Sequence, residues 1–189
     1  MQQQPIARYD FFSRMLHWLT AIAATIAFVL GPEHFGRLMR DGVDPATRAA
    51  IVWHESLGVL VFALTLLRLV WVVVRPAAPQ IPMAKWLQLM AKITHMALWA
   101  LTLALPTTAL MALASEGNPL TLLGGWRIDD FPFIAQSWRA PLLNWGEVHK
   151  WLGNALMWLA GLHAAAGLYH GLVLKDGVLA SMLPFKGIR

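Results

Sequence analysis

The chain alternates between long apolar runs and short polar connections. Four runs are long enough to cross a bilayer, which takes about 20 apolar residues in a helix. They lie near 13–31, 50–74, 86–114 and 145–174. The third contains Pro106, which membrane helices tolerate and which marks a site for a kink. No strand-like alternation, internal repeat or low-complexity tract interrupts the pattern. The pattern predicts one all-α domain over 1–189, an integral membrane four-helix bundle. A connection of about 115–144 joins the third and fourth helices, and no separate soluble domain is large enough to hold a core.

Composition agrees: 58 % of the residues are hydrophobic and 13 % charged, less charge than a soluble domain of this size carries. The net charge of +5 is distributed as a membrane topology and predicts no nucleic-acid partner. One side collects Arg8, Arg14, Arg68, Arg75, Lys85, Lys92, Lys175, Lys186 and Arg189 against Asp10 and Asp176. The other collects Arg37, Arg40, Arg48, Arg127, Arg139 and Lys150 against eight acidic residues, among them Glu55, Asp129 and Glu147. Excess Lys and Arg mark the cytoplasmic side, so both termini are expected inside. Trp18, Trp53, Trp71, Trp86 and Trp145 sit near helix ends, as interfacial belts require. Ala21, Ala23 and Ala24 after Arg8 and Arg14 offer a weak signal-cleavage site, but the later helices favour an uncleaved first anchor. The chain has no cysteine, which excludes disulfides, thiol catalysis, iron–sulfur clusters and CxxCH haem attachment.

Against this apolar background stand seven histidines. His34 falls in a loop; His17, His54, His95, His149, His163 and His170 fall in or beside the predicted helices. Ionisable groups there are costly and face the bundle interior. A single such histidine is as readily a polar group bonded to a neighbouring carbonyl; six in four helices ask for more. The alternating direction of the helices sorts them by depth. His54 and His149 form an outer pair, and His17, His95, His163 and His170 an inner set.

Fourteen residues separate His149 from His163, about 40° apart around a helix and about 21 Å along it. One face of the fourth helix therefore offers an imidazole near each membrane boundary, as two stacked cofactors require. The same interval separates His54 from Arg68 on the second helix. Arg68 is a candidate partner for a haem propionate or a cation snorkelling to the surface; Arg14 is a second candidate for the propionate role. Gly58 and Gly153 follow His54 and His149 by one turn, and Gly161, Ala164, Ala165, Ala166 and Gly167 flank His163. Small residues admit a flat cofactor or simply let helices pack closely. Histidine without thiolate suits haem iron, zinc or copper. Zinc sites add ligands at short spacing, whereas the closest histidine pair within one helix here, in GLHAAAGLYH, is seven apart. Histidines paired between helices at two depths fit two b-type haems, and iron held by two histidines carries electrons rather than binding oxygen.

The segments RMLHWL (14–19), VWHESLGVLVFALTLLRLVW (52–71), ITHMALWALTLALP (93–106), EGNPL (116–120), EVHKWLGN (147–154) and GLHAAAGLYHGLVLKDGVLASMLP (161–184) resemble the bacterial cytochrome b561 family over nearly the whole chain. The resemblance implies a dihaem protein of the bacterial cytoplasmic (inner) membrane. It implies His17 with His163 as axial ligands of the inner haem iron and His54 with His149 as those of the outer. It leaves His95 and His170 for a quinone site or a structural role. It further implies oxidation of periplasmic superoxide with reduction of ubiquinone. Arg48, Arg139 and Lys150 are candidate cations at an otherwise acid-rich outer face. The loop 126–145 is a candidate cap or docking surface. Two other readings compete. One is an electron-transfer subunit linking quinone to a partner redox protein, as in the cytochromes of membrane hydrogenases and formate dehydrogenases. The other is a histidine-lined metal or proton transporter.

Overall fold

The computed structural model describes residues 8–32, 35–75, 78–79, 81–131, 134 and 143–184. His34, Arg139, Lys186 and Arg189 lie outside them. Four long helices occupy the expected runs: α1 (Phe11–Val29), α3 (Ala49–Val74), α4 (Lys85–Glu116) and α5 (Trp145–Tyr169), the last continued by a π-helical turn, His170–Leu174. Each is long and apolar enough to cross a membrane. Short elements fill the connections: α2 (Phe35–Arg40), a 3₁₀ turn (Pro45–Thr47), strands β1 (Leu120–Leu122) and β2 (Trp126–Ile128), and α6 (Val178–Met182).

Local chemistry sets the helix ends. Asp10 caps α1, its carboxylate accepting from the Ser13 amide at 2.8 Å and the Ser13 hydroxyl at 2.6 Å. Trp71 of α3 donates to the same carboxylate at 3.1 Å, so one side chain starts α1 and joins it to α3. Asn144 caps α5 through the Glu147 amide at 3.0 Å. Gly117, with φ +69°, closes α4. Helix α4 runs through Pro106. The surface of the bundle is apolar: Val73 is 84 % and Trp158 78 % exposed, which a lipid surround favours.

The hairpin was not predicted. Leu120 pairs with Ile128 and Leu122 with Trp126, antiparallel, around Gly124 and Gly125 with φ +83° and +80°. Only glycine adopts such angles freely, and the Gly-Gly pair between LTL and WRI is the signal that the expectation of a plain loop passed over.

The long helices pack as two pairs, α1 with α3 and α4 with α5; α3 touches α4 less, and α1 touches α5 little. Space is left between the pairs. At one end the hairpin covers it. At the other the two termini lock together. Arg8 donates to the carbonyls of Ala180 (3.2 Å) and Leu183 (2.7 Å), Arg14 to Leu183 (2.9 Å), and Trp18 to Met182 (2.9 Å).

Candidate functional site

Helix α5 carries a histidine to each end of the gap. At the hairpin end the ring centres of His54 (α3) and His149 (α5) are 6.0 Å apart, the planes crossing at 84°. At the termini end those of His17 (α1) and His163 (α5) are 6.3 Å apart, crossing at 73°. Each couple thus joins one helix of the first pair to α5 of the second. Metal–imidazole bonds of about 2 Å place two rings on one metal with centres about 6 Å apart. Both couples have that separation.

The hairpin-end couple borders a partly open cavity of about 160 Å³, whose lining includes His54, Glu55, Gly58, His149, Gly153 and Met157. A methyl group on Gly58 would meet nothing within 4 Å, and one on Gly153 only Leu105 at 3.8 Å. At Gly58 the missing side chain therefore makes room in the cavity, not a close helix contact.

Both rings are held from behind. His54 Nδ1 lies 2.7 Å from the carbonyl oxygen of Ala27. That carbonyl is in the last turn of α1, and the amide that would have closed the next turn, Gly31, bonds Phe28 instead. His54 thus satisfies a helix-end acceptor that α1 leaves open. His149 Nδ1 lies 2.9 Å from the Leu105 carbonyl, with the Thr108 hydroxyl at 3.4 Å. A carbonyl only accepts, so each Nδ1 carries the proton and each Nε2 keeps its lone pair for a metal. Beside His54, the Glu55 carboxylate accepts from the Thr121 amide at 2.5 Å and the Thr121 hydroxyl at 2.7 Å. Ser56 accepts from the Leu123 amide at 2.9 Å. These bonds pin the hairpin over the cavity mouth.

At the termini end a third imidazole joins the couple. His95 of α4 has its ring centre 5.2 Å from that of His163, too short for a metal shared along that line. No ring nitrogen of His17, His95 or His163 bonds another described residue. Yet no sealed side-chain nitrogen or oxygen lacks a partner among the described residues, so the nitrogens of half-buried His17 and His163 open onto space. Arg68 does not reach for the surface: its guanidinium lies 4.7 Å over the Trp99 ring, and its charge acts on His17, His95 and His163. Arg14 is turned to the Leu183 and Asp10 carbonyls. His170 opens the π turn, its Nδ1 2.5 Å from Asp176. Lys175 (φ +51°) and Gly177 (φ +87°) bend the chain back there.

A model of the family described as prokaryotic cytochrome b561 matches residues 8–185. The chain belongs to that family. It is a membrane b-type cytochrome whose chemistry is electron transfer. "Cytochrome b561 homolog 2" of Escherichia coli (strain K12) is 27 % identical over 177 residues, 93 % of this chain and 91 % of that protein. "Cytochrome b561 homolog 1" of the same strain is 25 % identical over 174 residues, 89 % and 93 % of the two chains. "Probable superoxide oxidase CybB" of Yersinia pestis is 27 % identical over 184 residues, 95 % and 97 %.

The residues fit b haem. Among the described residues no group of three or more His, Asp or Glu is arranged to enclose an ion. The imidazole couples supply only two ligands each, which suffices when the cofactor brings its own four nitrogens. Several residues of this cytochrome's candidate site were not anticipated: the Ala27 and Leu105 carbonyls, Thr108, Thr121, Trp99 and Asp176. Backbone acceptors carry no side-chain signal. Asp176 stands six residues from His170, and only the turn at Lys175–Gly177 brings the two together.

Proposed function

We propose that this cytochrome carries two haem b groups and moves electrons across the bacterial cytoplasmic membrane. His54 and His149 would hold one, and His17 and His163 the other. The observation that carries the reading is the repeated couple: two imidazoles facing across the gap between helix pairs, 6.0 and 6.3 Å centre to centre, once at each end. The bound haems supply reversible one-electron chemistry. The protein's part is to fix the ring tautomers through Ala27 and Leu105 and to keep both ligand positions filled.

The hairpin end is the periplasmic face in this reading, because the charge excess at the termini end is positive. Superoxide is the donor at the hairpin end, supported by the printed name of the Yersinia pestis relative. Arg48 and Lys150 are exposed there and offer an anion a positive approach. Ubiquinone is the acceptor at the termini end. His170, oriented by Asp176 through Nδ1, is placed to present Nε2 to a quinone carbonyl and its proton. His95 is the second candidate.

An electron-transfer subunit is the second reading, favoured by the 74 % exposure of Trp126 on the hairpin and by acidic Asp129 and Asp130 beside it. Both readings predict two haems per purified chain. They separate on superoxide. Protein in ubiquinone-loaded vesicles that consumes superoxide without any partner supports the first; haem reduction only by a partner redox protein supports the second. Protein purified without haem after haem-replete expression would sink both and favour the transporter.

A further inference from the structure

Helix α3 carries a carboxyl group to one end of the gap and a guanidinium to the other. Glu55 is the one charged residue among the described residues lining the hairpin-end cavity. Its carboxyl group accepts two hydrogen bonds from Thr121. Thirteen residues on, about 20 Å along the axis, Arg68 lies over the ring of Trp99. Trp99 is four residues and so about one turn beyond His95, whose ring centre is 5.2 Å from that of His163. The charge of Arg68 acts on His17, His95 and His163. Arginine does not lose its proton in proteins, so this is a permanent cation at the depth of the second couple. A seat on the Trp99 face at 4.7 Å holds it by cation–π attraction where a free side chain would snorkel away.

We propose that Arg68 sets the termini-end haem as the higher-potential centre, so that electrons run downhill from the hairpin end to the termini end. The inference rests on the two-haem reading. Oxidised haem iron carries one more positive charge than reduced iron. A fixed cation nearby therefore disfavours the oxidised form and raises the midpoint potential. In an apolar span this repulsion is weakly screened. Other cations at that end reinforce Arg68: Arg75, close enough to act on it electrostatically, and Arg8 and Arg14 on the terminal clamp. Asp10, bonded to Ser13 and Trp71, and Asp176, bonded to His170, are the carboxylates at that end. They offset the cations there only in part, since Arg8, Arg14, Arg68 and Arg75 outnumber them. The hairpin-end cavity has no arginine or lysine among the described residues that line it.

The test is a spectroscopic redox titration of the full-length protein in detergent. The termini-end wave is identified as the one missing from His17→Ala. In the unsubstituted protein it is expected to be the higher of two. Arg68→Gln should move that wave to lower potential and leave the other in place, with both haems retained; Arg68→Lys, which keeps the charge, should titrate close to the parent. Two unchanged midpoints in a two-haem Arg68→Gln protein would overturn the proposal. So would an Arg68→Lys midpoint shifted as far as that of Gln, since hydrogen-bond geometry rather than charge would then be responsible. If Arg68→Gln loses the termini-end haem, Trp99→Leu, which unseats the cation, is titrated: a shifted termini-end wave supports the proposal and an unmoved one overturns it. A haem count below two in the unsubstituted protein refutes the two-haem reading itself, a result distinct from any midpoint, and the proposal falls with it.

Discussion

His54 donates its Nδ1 proton to the carbonyl oxygen of Ala27, 2.7 Å away on the neighbouring helix. One side chain thereby closes the open end of α1 and turns its other nitrogen to the cavity. Replacing His54 with Ala is expected to lower the haem content from two per chain to one. It should also leave a buried acceptor unpaired, at a cost of about 1–3 kcal/mol. Haem stoichiometry and thermal unfolding of the same sample check both parts. Retention of two haems would remove His54 from the ligand set.

The termini-end set offers three imidazoles for one metal. The 6.3 Å separation of His17 and His163 suits a shared iron, and the 5.2 Å separation of His95 and His163 does not. His17→Ala should drop one haem, and His95→Ala should keep both. The reverse outcome in a pyridine haemochrome assay would exchange the roles of the two residues.

Gly58 faces open space. Ala at this position should be accommodated with little change in haem content. Phe should fill the hairpin-end cavity and displace its haem while the helices stay intact. Circular dichroism separates exclusion of the cofactor from failure to fold. A Phe variant that folds with two haems would place the cofactor elsewhere.

Asp10 gives the fold an acid-sensitive joint. Burial pushes its carboxyl up, but the bonds from Ser13 and Trp71 outweigh this and hold it below the ordinary 3.8. Because the folded value is the lower one, the stabilisation is full above the ordinary value and is lost as pH falls through the depressed one. Asp10→Asn keeps a capping acceptor and should flatten stability against pH on that acid limb. Asp10→Ala should cost about 1 kcal/mol near neutral pH. Melting curves in detergent from pH 6 down to about 3 would show it; identical acid limbs for parent and Asn variant would exclude Asp10 as the titrating group.

The long elements were legible because their signals are local. An apolar run of about 20 residues has one low-energy form in lipid, a helix that satisfies its own backbone, and all four appear within a few residues of expectation. The depth of each histidine followed as well, since helix direction alternates and rise per residue is constant. The sequence by itself thus determined the bundle, its family and two levels of imidazole. It did not determine which groups meet across helices. That depends on rotation about each helix axis and on which helices pair, and apolar faces alike on every side do not specify either. Only the packing of α1 on α3 and α4 on α5 decided that His95 crowds His163, that Arg68 lies over Trp99, and that Ala27 and Leu105 turn carbonyls to the rings of His54 and His149. The hairpin that Glu55 pins over one end and the terminal clamp over the other were decided the same way, by contacts between residues 66 to 175 positions apart.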